Sequence, residues 1–312
     1  MPNPNWDRER IGCEAHLLVA MNHPRVVLVL SLSVAAISTA AILVRLVPDM
    51  HALGIALWRT AIAGVLLSPT LLRRGTARPR GRQLVLTIAA GFCLALHFWT
   101  WFASLQLTSV MRSTVLVCLT PLWAGILSWA VFKAPPSRRF WGGITVAIVG
   151  VTIMALGGDT TAATSSWTGD LLALLGGVLS GTYLTIGRAV RPHVDWGPYG
   201  AILCLNCALW LLLFAVLSGA SLALVGQNAL WVILAMALGP QLLGHIGFAW
   251  AVRYVPATIV GAVVLLEPVG ATALGTVVLD EWPSVRETLG ALVIVIGVFL
   301  ATIPRNKRAA VA

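Results

Sequence analysis

Apolar residues fall in long blocks along this chain, without the sustained period of 2 or 3.6 that would give each element one wet face. A membrane-crossing helix needs about 20 mainly apolar residues. Ten blocks meet that need: 26–46, 52–72, 83–105, 113–132, 140–157, 169–187, 196–218, 228–251, 257–279 and 287–304. The connections between them are short and carry turn formers, as in Arg78-Pro79-Arg80-Gly81 and Ala134-Pro135-Pro136-Ser137. The longest, 158–168, is rich in Gly, Thr and Ser and reads as a linker. The pattern predicts an all-α integral membrane fold. It has a tail (1–25), a first five-helix half (26–157), the linker, a second five-helix half (169–304) and a basic tail (305–312).

Composition removes the main rivals. Of 312 residues 58% are apolar and 10% charged, against roughly 25% charged in an ordinary soluble domain. The net charge of +10 invites a nucleic-acid partner, but the basic residues lie in short segments between apolar blocks and form no stripe. Cys13, Cys93, Cys118, Cys204 and Cys207 have no metal-ligand spacing. Cys204 and Cys207 share a helix face and read as small buried hydrophobes before a redox pair. Residues 1–24 are polar and do not resemble a signal peptide; Met21 offers a second candidate start.

Lys and Arg set the orientation. With the N-terminus in the cytoplasm, seventeen basic residues fall inside, including Arg73, Arg74, Arg78, Arg80, Arg82, Lys133, Arg138 and Arg139. Only Arg112 and Arg286 fall outside, while Arg45 and Arg59 stay within spans. The asymmetry supports ten spans, both termini inside and a bacterial inner membrane.

The two halves repeat. Shifted by 147 positions, Pro121 falls on Pro268, Arg139 on Arg286, Gly143 on Gly290 and Gly150-Val151 on Gly297-Val298. A weaker match, shifted by 143, puts Thr39, Arg45, Val47 and Gly54 on Thr182, Arg188, Val190 and Gly197. Five crossings per repeat start the second half from the opposite side, so the repeats are inverted, an architecture of secondary transporters.

The segment Trp101-Phe102-Ala103-Ser104-Leu105, then Thr108-Ser109 and Pro121, resembles the first half of the EamA-type transporters of the drug/metabolite transporter superfamily. The second half is similar, with Trp250-Ala251, Pro256-Ala257-Thr258, Glu267-Pro268, Asp280-Glu281, Gly290 and Gly297, and Leu57-Trp58-Arg59 fits the second helix. The resemblance covers residues 28–303. It implies a polytopic carrier, in many members an exporter of amino acids, metabolites or drugs. One departure is that Lys133-Ala134 follows the fourth span, where an acidic residue is common.

The candidate site residues are the polar ones inside spans. Glu267 is the only acid well inside one and needs a partner or a proton. It reads either as a protonatable group for coupling or substrate binding, or as the partner of Arg59 in a bundle-locking pair. Arg59 could bind a substrate carboxylate, neutralise Glu267 or snorkel. His97, Thr100, Trp101, Ser104 and Thr108 share one face of the third span, and Gln241, His245 and Phe248 one face of the eighth. These stripes read as a substrate path, or as interhelical hydrogen-bonding glue. Tyr199, Asn206 and Trp210 lie on about one face of the seventh span, and Tyr183 in the sixth can reach the same cleft. Trp58, Trp99 and Trp101 are the aromatic binding candidates. Pro121, Pro240 and Pro268 are expected to kink their helices. Gly177 and Gly181, and the glycine pairs 143/150 and 290/297, suit close helix packing.

No phosphate loop, metal spacing or nucleophile elbow is present, so no enzyme and no cofactor is expected. The expectation is a secondary transporter, an exporter working by alternating access, with a small-molecule substrate, the lipid bilayer and protons as partners and no nucleic acid. The rivals are a membrane scaffold or sensor, and a membrane-embedded enzyme.

Overall fold

The computed structural model describes residues 24–107, 113, 116–133, 135–155, 166–279 and 282–302. Most of the first expected tail, all of the second, most of the linker, and Thr108, Ser109, Arg112, Asp280, Glu281 and the side chain of Arg45 lie outside the described residues. All regular structure among the described residues is helical. Seven stretches are long and apolar enough to cross a membrane, and two shorter apolar helices, Thr120–Phe132 and Thr288–Thr302, stand beside them.

The first half contributes α1 (Pro24–Ser38), α2 (Ala40–Arg45), α3 (Ala52–Leu67), α4 (Arg82–Leu107), α5 (Thr120–Phe132) and α6 (Arg138–Ala155). The second contributes α7 (Trp167–Val190), α8 (Trp196–Ser218), α9 (Ala229–Met236), a wide-turned π stretch (Ala237–Ile246), α10 (Gly247–Ala251), α11 (Ala257–Val264), α12 (Glu267–Leu279) and α13 (Val285–Thr302). Local chemistry marks the ends. His51 accepts a bond from the Leu53 amide before α3, and Ser166 one from Thr168 before α7. Gly219 closes α8 with φ +68°, a conformation that glycine adopts without penalty.

Three expected spans are interrupted. The chain turns at Cys118-Leu119 before Thr120-Pro121, and again at Leu265-Leu266 before Glu267-Pro268. At Pro121 and Pro268, where kinks are expected, the α-helical bonding is thus interrupted for two residues, and Ala257–Val278 still forms one membrane-length stretch. Each proline stands in the first turn of the next helix, where its missing N–H leaves no bond unmade. The first span breaks at Thr39, whose hydroxyl donates to the Ala36 carbonyl at 2.7 Å. Pro240 lies in the π stretch, and there the Ser33 hydroxyl donates to the Leu243 carbonyl at 2.8 Å.

The core is assembled across the halves. α6 packs along α13, α4 along α7, α8 along α3 and α4, and the π stretch along α1. The α6–α13 contact requires glycine. A Cβ added to Gly143 would lie 2.6 Å from the Gly297 carbonyl oxygen, and one on Gly150 would lie 2.8 Å from that of Gly290. Gly177 and Gly181 likewise admit the fourth span, with a Cβ falling 3.0 Å from the Val117 oxygen and 2.9 Å from the Ala124 nitrogen. The main apolar cluster joins α1, α3, α4, α7, α8, α10 and α11 around Leu57, Phe98, Leu184 and Phe248.

Candidate functional site

Arg59, on α3, is at the centre of the polar interior and is only 1% exposed. Its Nε donates to Gln241 Oε1 at 3.0 Å, and its guanidinium carbon lies 4.4 Å from the centroid of the Phe98 ring. Gln241 Nε2 in turn donates to Cys204 Sγ at 3.5 Å. The two terminal nitrogens of Arg59 make no hydrogen bond among the described residues. Burial rules out snorkelling, which needs the charged head at the interface.

The π stretch presents Gln241 and His245 to this centre. His245 Nδ1 is 3.2 Å from the Tyr183 hydroxyl, and its ring meets Phe98 edge-on at 5.2 Å. On α4 the His97 Nδ1 donates to the Gly176 carbonyl at 2.9 Å, which fixes the proton on that nitrogen, and the ring stacks on Trp101 at 6.0 Å. Further along, Ser104 donates to the Trp101 carbonyl and pairs with Ser113, both at 2.6 Å. The buried Trp101 Nε1 has no hydrogen-bond partner among the described residues.

Glu267 opens α12 just after the Leu265-Leu266 turn and is half-buried. Its backbone carbonyl accepts from the Ser38 hydroxyl at 3.2 Å. Its carboxylate lies within Coulomb range of Arg59, Tyr183 and Cys118, but the locking ion pair with Arg59 is not formed.

The structure thus gathers Arg59, Gln241, His245, Tyr183 and His97 with Trp101, and holds Glu267 nearby. Trp58 and Asn206 stand apart. The Trp58 indole donates to the Leu222 carbonyl at 2.8 Å, anchoring the segment after α8. Asn206 packs against Gly91, where an added Cβ would lie 2.7 Å from its Oδ1. Trp99 stacks on Phe214 at 4.7 Å on the outer surface. Phe98 and Ser38 carry no polar-stripe signal in the sequence, Phe98 because it is apolar and Ser38 because its role is a bond to a backbone carbonyl. A second polar network, at one end of the bundle, ties three connections together. Asp195 exchanges two 2.9 Å bonds with the backbone of Ala77 and lies 3.7 Å from Arg253, and Arg188 donates to the Val252 and Arg253 carbonyls.

Chemically the centre offers a sequestered cation, a more accessible acid, two imidazoles, a phenol and an aromatic wall. Such a set binds by charge and stacking. Among the described residues no group of three His, Cys, Asp or Glu is placed to hold a metal.

The EamA-like transporter family pattern matches residues 24–156 and, a second time, residues 167–303. The chain belongs to the EamA-like transporter family. An uncharacterized transporter of Archaeoglobus fulgidus is 22% identical over 83% of this chain and 90% of its own length. The mouse protein solute carrier family 35 member G1 is 29% identical over 86% of this chain and 75% of its own. A solved crystal structure matches the fold with a TM-score of 0.76 at 20% identity, over 89% of this chain and 96% of that one. As an EamA-like transporter the protein is a multi-pass membrane protein, and its helices, apolar along their outer surfaces, fit that setting.

Proposed function

We propose that this protein is a secondary exporter of a small organic solute, built as ten transmembrane helices in two inverted repeats that rock about the Arg59 centre. Export follows the family resemblance. The inner-membrane setting with both termini inside follows the distribution of Lys and Arg.

The observation that carries the reading is an exchange of contacts between the halves. A shift of 143 in the first helices takes Ser33 to Gly176 and Ser38 to Gly181. A shift of 147 from the third helices onward takes His97 to Gly244, Thr100 to Gly247, Thr120 to Glu267 and Trp123 to Gly270. The contacts follow. Gly247 abuts the Ser33 hydroxyl, and Gly176 abuts the Thr100 hydroxyl at 3.3 Å from an added Cβ. Ser38 donates to the Glu267 carbonyl, and Gly181 faces the Thr120 carbonyl at 3.1 Å from an added Cβ. An added Cβ on Gly270 would lie 2.9 Å from Ser38 Cβ, and one on Gly181 3.0 Å from Trp123 Cβ. Phe98 and His245, themselves a pair under this shift, touch each other. Two bundles related in this way exchange roles on rocking, which opens the centre to alternate sides.

Charge breaks the symmetry. Glu267 answers Thr120, and Arg59 answers Ile202. A half-buried acid at a helix interruption, without an ion-pair partner among the described residues, is suited to alternate between protonated and charged forms as the halves move. In vesicles under an imposed pH gradient, Glu267→Gln is expected to abolish gradient-driven flux while the protein stays folded. Unchanged gradient-driven flux in that variant would reject proton coupling through Glu267.

A further inference from the structure

We propose that the exported solute carries a carboxylate, and that the two terminal nitrogens of Arg59 hold it. The assignment rests on the transporter reading for its context and on the Arg59 geometry for its content. A buried charge is ordinarily paired. Arg59 is 1% exposed, and the two side chains that contact its guanidinium among the described residues are neutral: Gln241 at Nε, itself bonded to Cys204, and Phe98 across one face. Glu267, the one acid acting on Arg59 among the described residues, is not ion-paired with it.

The arrangement orients the fork. The Gln241 bond fixes the Nε edge, and the aromatic face fixes the plane of the guanidinium. What remains is the outer edge, two parallel N–H groups spaced for the two oxygens of one carboxylate. The solute would complete a pair that the protein leaves open. A built-in acid there would neutralise Arg59 permanently and compete with any anion. The neighbouring Phe98, Trp101, Tyr183 and His245 rings provide a wall for an apolar or flat body. Trp101 Nε1, without a hydrogen-bond partner among the described residues, adds a donor beside that wall. Two sources share this chemistry: a plain carboxylic acid, and an amino acid whose ammonium turns toward Glu267.

The test uses the full chain, purified in detergent and also reconstituted in vesicles, with four probes of one shape: 3-phenylpropionate, its primary amide, phenylalanine and phenethylamine. Binding is read as a shift in the thermal unfolding midpoint, and flux by counterflow. One or both carboxylates are expected to bind and move, with the amide and the amine excluded. Arg59→Gln should weaken carboxylate binding by about tenfold or more, the scale of a lost hydrogen bond to a charged group. Should that variant fold poorly, Gln241→Glu keeps Arg59 and supplies an internal acid, and it should block the same probes. Phenylalanine favoured over 3-phenylpropionate, with the preference lost in Glu267→Gln, identifies the amino-acid form. Equal binding of the two identifies the plain acid. Amide or amine binding as tight as the carboxylates, carboxylate binding unchanged in Arg59→Gln and Gln241→Glu, or neither binding nor flux of either carboxylate would overturn the proposal. Carboxylate binding without flux would reject the transporter reading and leave this assignment standing. Flux of the amine with both carboxylates excluded would do the reverse.

Discussion

Arg59 and Gln241 are joined by one hydrogen bond, Nε to Oε1 at 3.0 Å, between residues 182 positions apart. The bond links the second span of the first half to the π stretch of the second, and it is the only hydrogen bond that the buried guanidinium makes among the described residues. Gln241→Leu conserves volume but leaves the Nε donor unanswered. The expected loss of stability is about 1.5–3 kcal/mol, the range for hydrogen bonds to charged groups. An unfolding midpoint equal to that of the parent protein would show that the bond adds nothing to the fold.

The α6–α13 seam can be tested against its own neighbour. Gly143→Val places methyl groups where the Gly297 carbonyl already lies, while an added Cβ at Gly142 meets nothing within 4 Å. Gly143→Val should destabilise by at least about 1–3 kcal/mol through overpacking. Gly142→Val should change little beyond the small helix-propensity difference. Size-exclusion profiles and unfolding midpoints of the two variants check this, and equal behaviour would contradict the close backbone contact.

Asp195 separates two interactions at one end of the bundle. Asp195→Asn keeps an oxygen for the Ala77 amide and loses the attraction to Arg253, a half-exposed pair at 3.7 Å, so it should cost under about 1 kcal/mol. Asp195→Ala loses both and should cost about 1 kcal/mol more. Chemical or thermal unfolding of the two variants measures the difference; no difference would assign the Ala77 bond no weight.

Orientation follows from the basic loops and can be read on intact cells. Cysteine placed at Arg78, in the basic connection after α3, should resist a membrane-impermeant maleimide. Cysteine placed at Ser221, in the connection after α8, should react. The native Cys118, Cys204 and Cys207 are buried and should give little background. Labelling at Arg78→Cys from outside would invert the topology.

Much of the architecture was legible because membranes simplify the code. Backbone groups in lipid must be satisfied within the helix, so length and apolarity alone mark a span. The repeat was legible because Pro121 and Pro268, and the glycine pairs 143/150 and 290/297, each answer a backbone constraint that a side chain cannot replace. Glu267, Arg59, His97, Gln241 and His245 stood out because polar groups inside a span are expensive.

Their grouping was not legible. Arg59, Gln241 and Tyr183 are far apart in sequence, and whether an arginine pairs with a glutamate or a glutamine depends on distances that hydropathy does not encode. Trp58 and Asn206 looked equally suitable, yet one anchors a connecting segment and the other packs against Gly91.

By itself the sequence determined that the chain is made of membrane-length helices, that it repeats, and which residues carry polar groups into the interior. Only the tertiary structure decided that the α-helical bonding is interrupted just before Thr120 and Glu267, that Gln241 and not Glu267 meets Arg59, and that two guanidinium nitrogens have no hydrogen-bond partner among the described residues. The physical reason is one of range. Apolarity and backbone satisfaction are local and are written along the chain, whereas the pairing of a buried charge depends on which helix faces are pressed together.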